Sequence, residues 1–75
     1  MNLNIINNKS TIIIDDVIEE CAEIIHILSK IKKYGWNNYH PKDKEMIPNY
    51  KLLLHEINDV ENKIKLLKNE MYEEI

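Results

Sequence analysis

Apolar residues recur along the first half of the chain at helical spacing. From Thr11 to Tyr34 they fall at Ile14, Val17, Ile18, Cys21, Ile24, Ile25, Leu28 and Ile31, a period that predicts one long amphipathic helix. Ser10 or Thr11 suits its N-cap, with Asp15 and Asp16 favourable in the opening turns. Gly35 stands where a helix ends, preceded by Lys30, Lys32 and Lys33, which suit the negative end of the helix dipole. A second stripe, Tyr50, Leu53, Ile57, Val60, Ile64, Leu67 and Met71, predicts a helix from about Ile47 to Tyr72, with Pro48 in its first turn. Residues 35–46 contain Gly, Asn and Pro and read as a loop. Residues 1–9 are Asn-rich, lack the period, and read as a frayed or extended tail.

The pattern therefore predicts an all-α fold: a tail over 1–10 and an antiparallel helical hairpin over 11–75. Each helix should be roughly 35–40 Å long. The apolar arc of the first helix spans nearly half its wheel, which one neighbour cannot cover. This predicts a homodimer or homotetramer that builds a four-helix bundle. The chain has 75 residues, and domains this small usually need a staple, a metal or a partner chain.

Composition narrows the chemistry. Cys21 is the only cysteine, so no intramolecular disulfide can form, which fits a reducing cytoplasm. Its place on the apolar face predicts a small buried thiol. No cationic start leads into an apolar run, and Ile12-Ile13-Ile14 is far short of a membrane span. The net charge of −3, with acids spread along the chain, argues against nucleic acid as a partner. The basic residues are all Lys, and Ile, Asn and Lys dominate, a bias of AT-rich genomes.

Two acidic pairs stand out, Glu20/Glu23 and Glu56/Asp59. Residues three apart share a helix face, so each pair can present two carboxylates to one point. At about 100° per residue, Glu56 lies about 60° from Leu53 and about 20° from Leu67, on the edge of the apolar stripe. Asn49 and Lys63 share that edge, and Glu20 and Glu23 flank the arc of the first helix in the same way. In an antiparallel hairpin the four acids converge near mid-helix. A hard divalent cation would neutralise them, and oxygen-only ligands point to Mg²⁺ or Mn²⁺. Gly35 is the only glycine, so no Gly-rich loop can cradle phosphate. Trp36, Tyr39 and His40 crowd the loop and could pack onto the helices or stack on a base. His26 and His55 fall on polar sides and read as solvated.

The run Glu19-Glu20-Cys21-Ala22-Glu23-Ile24-Ile25, then Ser29-Lys30 and Lys33-Tyr34-Gly35, resembles the first helix of short, phage-type MazG-like nucleoside triphosphate pyrophosphohydrolases. Asn49, Leu53, Glu56, Asp59 and Val60 match the second half of that pattern. The resemblance covers about residues 17–67. It implies an all-α enzyme of the cytoplasm, the host's if the chain is phage-encoded, in which Glu20, Glu23, Glu56 and Asp59 hold Mg²⁺. That cation binds the triphosphate while water splits a (d)NTP into (d)NMP and pyrophosphate. Lys30, Lys33 and Asn49 would contact phosphate or nucleotide, and Trp36 and Lys63 complete the candidate substrate-binding set. Many relatives continue with further helical, basic sequence after this point. A second expectation is therefore a non-catalytic nucleotide-binding or protein-interaction module on the same scaffold.

Overall fold

The structure is a computed structural model and describes residues 6–75. Two helices, α1 (Asn8–Tyr34) and α2 (Asn49–Glu74), form a hairpin. With the connecting loop they make a rod 52 Å long and about 20 Å across. Among the described residues, no helix is long and apolar enough to cross a membrane.

The helix α1 begins three residues before Thr11, because Asn7 takes the capping role. Its Oδ1 accepts the Ser10 N–H at 2.7 Å, and its carbonyl accepts the Thr11 N–H at 3.0 Å. Ser10 is therefore not the cap. It is buried inside the first turn, and its hydroxyl donates to Glu70 at 3.2 Å. Asn8 and Lys9 are helical rather than part of a tail, and residues 1–5 of the Asn-rich stretch lie outside the described residues. At the other end Gly35 has φ 95°, a left-handed conformation that suits a residue without Cβ. Its N–H donates to Ile31 at 2.8 Å and closes the helix.

The start of α2 is held by the loop. Pro48 is extended and serves as N-cap without a side-chain hydrogen bond. The unpaired N–H groups of a helix start must find other acceptors. Here the Asn49 N–H donates to the Asn38 carbonyl at 2.7 Å, and the Tyr50 N–H to the Trp36 carbonyl at 3.0 Å. The Asn49 side chain donates to the Gly35 carbonyl at 3.2 Å, which ties the two helix ends together. In the loop, Asp43 accepts the N–H groups of Glu45 and Ile47 at 3.0 and 2.8 Å.

The helices meet along one seam. On α1 it runs through Ser10, Ile13, Val17, Glu20, Ile24, Ile27 and Ile31; on α2 through Asn49, Leu53, Glu56, Val60, Lys63, Leu67 and Glu70. All fourteen are buried or half-buried, and both series step alternately by three and four residues, the spacing of a coiled-coil seam. The α2 seam is rotated from the purely apolar stripe that the sequence suggests. It takes in Glu56, Lys63 and Glu70, while Tyr50 and Met71 are exposed. The core is small: Ile27, Ile31 and Leu53, with Ile24, Leu52 and Ile57 against them.

This seam covers only one side of α1. Ile18, Ile25 and Leu28 are 61%, 65% and 46% exposed. Cys21 on the same ridge is exposed too, not buried, because α2 packs on the opposite edge of the arc.

Leu53 is the only buried apolar residue that α2 gives the core, so Leu53→Ala should lower stability by about 2–4 kcal/mol. Urea unfolding followed by circular dichroism measures this. A loss below about 1 kcal/mol would show that the hairpin is held elsewhere.

Candidate metal centre

Six of the fourteen seam positions are polar, and they differ in how they are satisfied. Ser10 and Glu70 bind each other, and Lys9 approaches Glu70 at 3.4 Å. Burial raises the Glu70 carboxyl, but Lys9 and Ser10, with Glu73, outweigh it and hold the carboxyl below its usual range. Next along the seam, Lys63 donates to Asp16 at 3.0 Å. Asp16 above all keeps this ammonium protonated further into base; burial opposes it, and Glu20 and Asp59 add to the effect. Asn49 is bonded to the Gly35 carbonyl. Glu20 and Glu56 remain.

The antiparallel register brings Glu56 of α2 against Glu20 and Glu23, one turn apart on α1. Carboxylate oxygens of the three lie within 4.8 Å of one another. Glu20 Oε2 and Glu56 Oε2 are closed to solvent and have no hydrogen-bond partner among the described residues. With all three ionised, the group contains acceptors and no donor. A proton on Glu56 supplies one. Hydrogen bonding to Glu20 first and Glu23 second, then burial, then the two neighbouring charges, push the Glu56 carboxyl up from 4.5 to about 8.

Such a cluster fits a hard divalent cation. Its donors are all carboxylate oxygens from two helices, and two of those oxygens lack any other partner among the described residues. That set suits Mg²⁺ or Mn²⁺. A cation would take the place of the proton, so binding should release it.

The fourth expected ligand stands slightly apart. Asp59 is half-buried, and its Oδ2 lies 3.3 Å from His55 Nε2. His55, Glu56 and Asp59 form a second group with ligand atoms within 4.8 Å, so Glu56 belongs to both. The four acids do not form one group, because Asp59 turns along its own helix toward the residue four earlier. His55 is exposed as expected, but it has this partner.

A groove of about 510 Å³ opens beside Glu23 and Glu56, with His26, Lys30 and Leu52 in its wall. Lys30 is the candidate substrate residue that the structure brings to the acids. Lys63 lies near them but is engaged by Asp16. Lys33 is exposed, its Nζ 5.2 Å from the centre of the Tyr34 ring. Trp36 is exposed, and its carbonyl serves the start of α2. Asn49 is a buried link between the helix ends. Sequence reasoning missed the Asp16–Lys63 pair, whose signal was opposite charges at matching register positions.

Comparison with protein-family models, with curated proteins and with solved structures finds no match for this chain.

The raised Glu56 carboxyl gives the metal-free protein a defined pH dependence. Unfolded, the group titrates near 4.5; folded, near 8. Between these values the folded state holds a proton that the unfolded state has lost. The contribution is complete below about 4.5 and is lost as pH rises through about 8. Urea midpoints in EDTA should fall between pH 5 and pH 8.5, and Glu56→Gln should flatten that part of the curve. The same slope in wild type and variant would remove Glu56 from the account.

Proposed function

We propose that this chain is a Mg²⁺-dependent nucleoside triphosphate pyrophosphohydrolase of the MazG-like, phage-type kind, cleaving a (d)NTP to (d)NMP and pyrophosphate in the cytoplasm. The observation that carries this reading is the pair of solvent-closed carboxylate oxygens of Glu20 and Glu56 that have no partner among the described residues, with Glu23 beside them. The EECAE motif and the downstream Asn49, Leu53, Glu56, Asp59 and Val60 give that cluster its chemical context.

Glu20, Glu23 and Glu56 would hold the cation, with Asp59 reaching it through the oxygen cluster it shares with Glu56. When bound, Mg²⁺ supplies neutralisation of triphosphate charge and Lewis-acid activation of the attacking water. Lys30, half-buried at the groove, would provide a cation beside the phosphates. The seam supplies rigidity: each carboxylate rides on a helix whose neighbours are packed, so the donors are held before the substrate arrives.

A specific feature favours the second reading, a nucleotide-binding module without turnover. Asp59 faces His55 rather than Glu20 and Glu23, so three acids, not four, are assembled. Amide substitutions decide between the two. Glu23→Gln should abolish pyrophosphate release from a panel of NTPs and dNTPs with Mg²⁺, while its urea midpoint in EDTA stays level or rises, because a like charge is removed. Pyrophosphate from no nucleotide, with binding retained, selects the module. Apo stability falling in step with activity for Glu20→Gln, Glu23→Gln and Glu56→Gln would sink the metal site.

The working form is a homodimer or homotetramer. Ile18, Cys21, Ile25 and Leu28 form an exposed apolar ridge in alternating steps of three and four, a second seam suited to another helix pair. Light scattering at micromolar concentration should give at least twice the 9.0 kDa chain mass, and Ile25→Glu should reduce it. A folded, stable single chain would overturn the assembly.

A further inference from the structure

The seam leaves apolar surface open on both helices, and the open parts lie on one side of the hairpin. At about 100° per residue, the ridge of Ile18, Cys21, Ile25 and Leu28 lies roughly 90° round α1 from the centre of its seam. On α2, Leu54, Ile57 and Ile64 lie roughly 100° from the seam centre, in the same rotational sense. Equal rotation on two antiparallel helices leads to the same side of the pair. Glu23 and Lys30 of α1 and Leu52 of α2 are rotated the opposite way, and those three line the acid groove together. The apolar face and the acid groove therefore look away from each other. On the apolar face Leu54 is 57% exposed, like the ridge beside it, while Ile57 and Ile64 are half-buried.

The face is two helices wide, so what covers it must be as wide. A second copy presents the same strip, and two hairpins stacked on it complete a four-helix bundle. Two two-fold arrangements do this. With the axis along the rod, both loops lie at one end and α1 packs on the α2 of the other copy. With the axis across the rod, the loops lie at opposite ends and each helix packs on its own counterpart. Neighbouring helices are antiparallel either way, so packing direction does not choose between them.

Charge does. Residues 30–51, at the loop end, hold six Lys against Asp43 and Glu45, a net of +4. Residues 6–16 and 63–75, at the open end, hold four Lys and five acids, a net of −1. The middle, 17–29 and 52–62, holds six acids and no Lys, a net of −6, and meets its own kind in both arrangements. The three parts give the overall −3. With the loops together, the +4 end meets another +4 end. With the loops opposed, each +4 end meets a −1 end. Packed helices lie about 8–10 Å apart, within about one Debye length at 0.1 M salt, so the difference is felt across the interface.

We propose that two copies dock through this face with their loops at opposite ends, leaving one acid groove open on each outer side. The inference rests on the self-assembly reading above and adds its direction. Wild-type protein mixed from two isotopic labels, cross-linked through lysine and read by mass spectrometry, tests it. Links between copies should join Lys42 or Lys44 of one to Lys65 or Lys68 of the other. Links between copies that join Lys42 or Lys44 to the same loop lysines overturn it. A spin label at Asn37→Cys, in a Cys21→Ala background, gives the loop-to-loop distance. It should approach the 52 Å length of the rod, and a value near its width of about 20 Å overturns the orientation. A folded single chain in light scattering removes the assembly itself, a short distance removes only its direction, and neither bears on the metal reading.

Discussion

The hairpin depends on two helical faces meeting in one register, with polar side chains built into the contact. A seam stepping by three and four residues brings each position opposite a fixed partner, so a polar group there must be matched across the helices. Ser10 with Glu70, Asp16 with Lys63, and Asn49 with the Gly35 carbonyl meet that demand. Glu20 and Glu56 do not. Hydrogen bonding to Glu20 and Glu23, burial and like charge oppose ionisation of Glu56, and its protonation is the metal-free protein's own relief. An electrostatic conflict part-way along the seam costs stability, and such conflicts concentrate where a protein binds something.

Register is therefore as important as composition. The Gly35 turn, the Asn49 link and the loop carbonyls of Trp36 and Asn38 fix where α2 begins relative to the end of α1. The Ser10–Glu70 contact and the bond from Asn7 to Glu74 fix the other end. Between these two anchors the acids have no freedom to slide past one another. A slip by one seam step would take Glu56 away from Glu20 and Glu23 and dissolve the cluster without disturbing either helix.

The same geometry explains why so much apolar surface is left. A single seam buries one stripe of α1, and the ridge of Ile18, Cys21, Ile25 and Leu28 points elsewhere. Among the described residues, four buried apolar side chains, those of Ile13, Ile27, Ile31 and Leu53, are little for two helices of this length. Covering the ridge with another hairpin would bury more apolar surface without altering the acidic cluster, which lies on the inner seam. Stability and chemistry would then be carried by different faces of α1.

Helical period, Gly35 and the Pro-containing loop were enough to determine two helices and their antiparallel pairing, because backbone hydrogen bonding and loop length are local matters. The acid pairs were legible for the same reason: residues three apart share a face in any helix. The phase of the contact was not. The contact of α2 could have been centred on its purely apolar stripe from Tyr50 to Met71, and only the facing helix brought Glu56, Lys63 and Glu70 into the seam. That choice exposed Cys21, gave Lys63 to Asp16, and brought Glu20, Glu23 and Glu56 together while Asp59 turned to His55. Asn7 displaced Ser10 as the cap because Ser10 was drawn inward to Glu70. Apart from the local contact of Asp59 with His55, each of these outcomes is a long-range pairing between groups about thirty to sixty residues apart, or follows from one, and periodicity along one helix has no term for what stands opposite it.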